Sequence, residues 1–277
     1  MSLDKILAYC FDKTWWPVQT RLFKRSLYLL VLLHAFTYLW DSGDLFGPES
    51  YVIRRPTVFS GLQDFVFLLT SYPAAACWVL MAVLGISMAG LAGRRRIWSD
   101  VLLWLMMLNL HYAIYPGLTG GHYLLNQLLL FQCLLSDSRK PFKARWQSLQ
   151  DFLNNAGSVL IMAQVCLIYV ISALAKMQDE AWRSGEAVGM IARLWHFSRG
   201  GTTLLGDSKL TRLLTWLILA YQLAFPLFIW LNPLRKPLLV AGLLIYLYIA
   251  FYMGLMSFGF TMLLAHLYFW PVQAAKS

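Results

Sequence analysis

Charge is scarce in this sequence: 13% of its 277 residues are Asp, Glu, Lys or Arg, about half the share usual in soluble domains. An ordinary water-soluble protein is excluded. Cysteine is scarce as well. Cys10, Cys77, Cys133 and Cys166 stand far apart, with neither a CxxC pair nor the dense spacing of a disulfide framework, so they read as packing residues. The five histidines show no HxxH or HExxH spacing, which leaves a metal site without support. Glycine-rich phosphate loops, GxSxG elbows and paired catalytic carboxylates are missing, and hydrolases and nucleotide enzymes drop out with them.

What fills the chain instead is apolar: 59% of residues are hydrophobic and the mean hydropathy is +0.58. Spanning a bilayer takes about 20 apolar residues, so about eight crossings would use roughly 160 positions and leave no room for a separate soluble domain. The formal net charge is +10. Its basic residues cluster between apolar runs and form no stripe interleaved with aromatics, so nucleic acid is not the expected partner.

Length and flanking residues place the spans, because apolar periodicity alone cannot separate a spanning helix from a buried one. The expected spans are Ser26–Trp40, Ala74–Ala92, Val101–Tyr115, Tyr123–Leu135, Ser158–Ala175, Leu213–Trp230, Leu238–Tyr252 and Leu255–Trp270. An all-α, polytopic transmembrane helical bundle of about eight spans, within a range of seven to nine, is the expectation. Ahead of it, Leu3–Lys13 sets Ile6, Leu7, Cys10 and Phe11 on one stripe before Trp15-Trp16-Pro17. That predicts an N-terminal interfacial helix within an amphipathic segment at 1–22, followed by a single transmembrane domain at 23–277. Glycine and proline at 116–121 and Gly254 imply two tight helical hairpins, the third span with the fourth and the seventh with the eighth.

Placing both termini in the cytoplasm puts most of the 23 Lys and Arg on the inside, Lys24, Arg25 and Arg94–Arg96 among them, as the positive-inside rule requires. Lipid then accounts for the basic excess. The two longest connections, Asp41–Pro73 and Met177–Arg212, face outward in this topology. They carry Phe46, Phe59, Trp182 and Trp195, so they are expected to fold over the outer ends of the bundle.

Ionisable groups at membrane depth cost energy and tend to mark sites. Lys176 closes the fifth span, where desolvation would favour the neutral amine and supply a base; the alternative is a lysine that snorkels to the headgroups. His122 opens the fourth span after Gly120-Gly121, with Tyr123 and Asn126 close by. It is either a proton carrier or a donor to a loop carbonyl. The topology brings Lys176 and His122 to one outer level. His34 and His266 read as satisfied polar core groups, His111 and His196 as interfacial ones, and Gln222 with Tyr221 as polar glue beside Pro226. Phe258 and the other aromatics of the last hairpin read first as core, although such a groove near a lysine would suit a quinone ring.

Several stretches look familiar. They are Asp44-Leu45-Phe46-Gly47-Pro48, Gly120-Gly121-His122-Tyr123-Leu124-Leu125 with Phe131-Gln132, the run from Ile168-Tyr169 through Ser172-Ala173-Leu174-Ala175-Lys176 to Trp182 and Gly185, Phe225-Pro226-Leu227, and Met253-Gly254-Leu255 with Phe258. Together they resemble the horizontally transferred transmembrane (HTTM) domain, the membrane region shared with vitamin K-dependent gamma-carboxylases. In that family a lysine deprotonates the reduced vitamin, whose oxygenation generates a base strong enough to remove a glutamate gamma-proton. Lys176 matches that lysine and His122 a histidine that opens a membrane helix. The resemblance therefore implies Lys176 and His122 as catalytic residues, Tyr123, Trp182 and Phe258 as candidates to contact the cofactor, and reduced vitamin K or menaquinone as that cofactor, with no metal. Tyr246 and Gln222 stand where the family often has a histidine and an acid. The large extracytoplasmic region that holds the carboxylase's substrate has no counterpart after Trp270, so the expected substrate is a small secreted peptide or one presented by a partner.

Two function classes follow. One is a quinol-coupled, carboxylase-like or epoxidase-like enzyme at the outer face of a bacterial inner membrane. The other is a non-catalytic partner for maturation, export or immunity of a secreted peptide, docking through the outer loops. Transport would favour a midplane polar site, and the polar candidates lie at the outer end.

Overall fold

The computed structural model describes residues 16–46, 75–94, 96–114, 117–136, 144–194 and 208–270, and among these there is no strand. The interfacial helix expected over 3–13, with Phe59, Trp195 and His196, lies outside the described residues. Two compact units divide the chain, residues 1–158 and 159–277; each is described by itself.

In the first unit α1 (Pro17–Trp40) is one unbroken helix. Pro17 suits its opening turn, where a backbone N–H would have no helical partner. The short α2 (Ser42–Phe46) follows, then α3 (Ala76–Leu91), α4 (Ile97–Ala113) and α5 (Gly120–Gln132). α1 packs along α3, and the approach needs glycine: a Cβ on Gly90 would come within 2.6 Å of the Tyr28 ring. α4 and α5 pack on each other as the expected hairpin.

A buried ion pair joins these helices at one end. Lys24 Nζ lies 2.8 Å from Asp100 Oδ2 and donates to the Leu135 carbonyl at 2.6 Å. Gln132 Nε2 donates to Asp100 Oδ1 at 2.8 Å, and the Tyr28 hydroxyl donates to the same oxygen. Lys24 had counted among the loop charges of the cytoplasmic side; the structure instead buries it, with Asp100 neutralising it.

The direction of each helix follows from its two ends. Lys24 and His34 are ten residues apart on α1, Asp100 and His111 eleven apart on α4, and His122 and Gln132 ten apart on α5. At 1.5 Å per residue each pair is separated by about 15 Å. Lys24, Asp100 and Gln132 form one layer; His34, His111 and His122 form the other. Thus α1 and α4 run in one direction and α5 in the opposite one.

α6 (Ala144–Gln178) starts well before the expected Ser158, because Gln150, Asp151, Asn154, Asn155 and Ser158 are buried within the first unit and hold its leading half in place. Asn154 Oδ1 accepts the Ser136 N–H at 2.6 Å. At 35 residues the helix is about 52 Å long, beyond the roughly 30 Å of a hydrocarbon core.

The second unit begins within α6 and continues through α7 (Glu180–Ser184), α8 (Ala187–Arg193), α9 (Ser208–Phe228), α10 (Asn232–Leu247, extended by a π turn over Tyr248–Tyr252) and α11 (Met256–Ala265, ending in a 3-10 turn over His266–Phe269). Asp179 caps α7 by accepting the Ala181 N–H at 2.9 Å, and Gly185 ends it at φ +85°. The described part of the second long connection folds onto α9: the Val188 N–H donates to Thr215 Oγ1 at 3.2 Å and Trp216 Nε1 to the Arg183 carbonyl at 3.4 Å. Gly254, at φ +72°, turns the chain between α10 and α11, the other expected hairpin. The core centres on Tyr169, whose ring centroid is 4.5 Å from that of Phe225.

Each expected span overlaps a described helix. Among the described residues four helices are long and apolar enough to cross a membrane: Pro17–Trp40, Trp146–Gln178, Lys209–Phe228 and Asn232–Tyr252; the apolar helices Ala76–Leu91 and Met256–Phe269 are shorter. Leu33, Phe36, Leu217, Leu227 and Leu244 are more than half exposed, a surface that suits lipid and not water.

Candidate functional site

At the end of the first unit remote from the Lys24–Asp100 pair, four rings from three helices converge. α1 supplies His34 and Tyr38 one turn apart, α4 supplies His111 in its last turn, and α5 supplies His122 in its first. The His122 ring centroid lies 5.1 Å from that of His111 and 5.7 Å from that of His34, edge-to-face in both cases; Tyr38 is 6.0 Å from His111. All four side chains are buried, His111 to 1% residual exposure. His111 had read as interfacial; the structure corrects this, because α1 and α5 cover the face of α4 that carries it.

Hydrogen bonds fix the proton on each ring. His34 Nδ1 faces the Leu30 carbonyl at 2.8 Å, which can only accept, so Nδ1 carries the proton. His111 Nδ1 faces Asn126 Oδ1 at 2.8 Å, and Nδ1 is again the donor. His122 is opposite. Its Nδ1 accepts the Thr119 N–H at 2.9 Å while Thr119 caps α5, so its proton sits on Nε2. The cluster holds two kinds of imidazole edge, a lone pair on His111 Nε2 and an N–H on His122 Nε2. Two of its buried polar atoms, the Tyr38 hydroxyl oxygen and His111 Nε2, have no hydrogen-bond partner. Such atoms are uncommon in native interiors, and each has a hydrogen bond left to make.

No family model, curated protein or solved structure matches this chain.

Lys176 belongs to the second unit, in the last turn of α6. Its Nζ donates to Ser172 Oγ at 2.5 Å and stands 4.9 Å above the Trp182 ring centroid. The half-buried amine is folded back on its own helix and the next turn of chain. Trp182 is held for this contact by Asp179, whose carboxylate accepts the Trp182 N–H at 3.3 Å.

The remaining candidates differ. Tyr123 follows His122 in sequence, yet it is 48% exposed and so points off the face that carries the imidazole. Phe258 packs edge-on to Tyr246 at 6.0 Å within the second unit. His266 is a satisfied core group: Nδ1 donates to the Met262 carbonyl at 2.5 Å, and Nε2 accepts the Tyr169 hydroxyl at 2.9 Å. Among the described residues no group of His, Cys, Asp and Glu is arranged to hold a metal ion.

Sequence reasoning missed Tyr38 and His111 as members of the His122 site, and it missed the Lys24–Asp100 pair. A signal existed in the matched spacing of polar residues along α1, α4 and α5. Its use requires knowing that the three helices are neighbours.

Proposed function

We propose that the chain is a polytopic protein of the bacterial inner membrane, with about eight spans and both termini in the cytoplasm. It works as an HTTM-like, quinol-coupled enzyme of carboxylase or epoxidase type, acting on a secreted peptide at the outer face. The observation that carries this reading is the ring cluster around His122, a buried set of imidazole and phenol groups with two polar atoms lacking a partner. Lys176 adds support, since its amine is fixed over the Trp182 ring and against the Ser172 hydroxyl at the end of α6.

The residues fit a reduced quinone. A hydroxyl both donates and accepts, and the buried Tyr38 hydroxyl and His111 Nε2 need one partner of each kind. When bound, such a quinol supplies the electrons for oxygen and the base strength that no side chain has. The protein's own part is to exclude water with a buried ring lining, to offer the His122 Nε2 proton to a developing anion, and to take up a proton at Lys176 Nζ. Purified protein with reduced menaquinone or vitamin K and oxygen is expected to form the epoxide, and Lys176→Ala to abolish it. Unimpaired epoxide formation by Lys176→Ala overturns the role of the lysine. No epoxide from the wild type, with peptide maturation lost on changes near Trp182 or Phe46, would establish a docking partner instead.

A further inference from the structure

Each ring of the cluster in the first unit presents a fixed hydrogen-bonding edge, and the set is not symmetric. The His111 imidazole is committed to Asn126 through Nδ1, so its buried Nε2 is a bare lone pair that only a donor can satisfy. The His122 imidazole is committed to the Thr119 N–H through Nδ1, so its Nε2 offers a proton. The Tyr38 hydroxyl, 8% exposed as a residue and without a partner, has a proton to give. Among the described residues no ion pair involves Tyr38, His111 or His122. A ligand for this site is therefore neutral, has a ring edge or face to set against rings, and carries an oxygen that accepts from Tyr38 or His122 while donating to His111.

We infer that the Tyr38–His111–His122 cluster is a binding site for an aromatic hydroxyl of the phenol or hydroquinone class, and that His111 is the residue that selects the reduced form over the oxidised one. This rests on the quinol reading above and adds the residue that decides the oxidation state. A quinone carbonyl accepts from Tyr38 and His122 as well as a hydroxyl does. It has nothing to donate to His111, and the buried lone pair stays unpaired, which weakens binding by about tenfold or more. Tyr38 and His122 thus bind both forms, and His111 separates them.

The test is equilibrium binding to the full-length protein in detergent, without oxygen, of three probes sharing one ring and a short tail: the hydroquinone, its quinone and its dimethyl ether. The expected result is that the hydroquinone binds the wild type about tenfold or more tighter than either other probe. His111→Phe keeps a ring in place and removes the lone pair, and is expected to bring the hydroquinone to the level of the quinone. Tyr38→Phe is expected to weaken both forms by a similar factor and leave their ratio intact. Equal binding of the three probes by the wild type, or binding of none, overturns the inference, and the wild-type comparison does not depend on any variant folding. A preserved preference in His111→Phe overturns the assignment to His111. The outcomes separate from those of the enzyme reading: loss of the preference with epoxide still formed removes only this inference, while a clear preference with no epoxide under oxygen leaves the binding site and removes the reaction.

Discussion

Lys24 Nζ stands 2.8 Å from Asp100 Oδ2, with side chains 3% and 2% exposed, so an ammonium and a carboxylate neutralise one another where neither meets solvent. Desolvating two charges costs several kcal/mol, and their attraction returns this only when the remaining hydrogen-bond positions are filled. Here they are, by Tyr28, Gln132 and the Leu135 carbonyl.

Asp100→Ala is accordingly expected to destabilise the protein by about 3–5 kcal/mol, because it leaves a buried ammonium without its counter-ion. Lys24→Met combined with Asp100→Ala should recover part of that loss. Thermal unfolding in detergent of both single variants and the double variant reads the coupling directly.

Gly90→Ala is expected to cost about 1–3 kcal/mol, since its Cβ would overlap the buried Tyr28 ring. Gly85→Ala on the same helix meets nothing within 4 Å and should be neutral or slightly stabilising through helix propensity. The same unfolding measurement ranks the two.

Tyr169→Phe removes the hydroxyl that satisfies His266 Nε2 in the core of the second unit. A loss of about 1–3 kcal/mol is expected from the acceptor left bare. Epoxide formation normalised to folded protein should not change, because neither residue belongs to the proposed reaction.

Trp182→Leu takes away the ring beneath the Lys176 amine. Cation–π contacts contribute about 0.5–2 kcal/mol, so the initial rate of epoxide formation is expected to change by roughly 2- to 30-fold if Lys176 acts as the base. Lys176→Arg, which cannot give up its proton at neutral pH, should be as inactive as the alanine variant.

The helices were legible because long apolar runs have few alternatives, and four of those described are long and apolar enough to cross a membrane; both tight hairpins were legible from the glycines between them. The start of α6 was not. Its leading half carries Gln150, Asp151, Asn154 and Asn155, which hydropathy reads as loop, yet these side chains are buried against other polar groups of the first unit. His111 was misread for a related reason, since its place in the last turn of α4 says how far along the helix it lies and nothing about which side it faces. His122 stood out through Gly120-Gly121, and Thr119 then proved to set its tautomer. Lys176 and Trp182 belong to one stretch of the sequence, and the short turn capped by Asp179 sets the amine over the ring.

Between the two polar layers of the first unit lie Leu27, Val31, Leu103, Met107, Leu125 and Leu128, all at 2% exposure or less. About 15 Å of packed apolar side chains separates the layers, so stability changes made in one are expected to add to those made in the other.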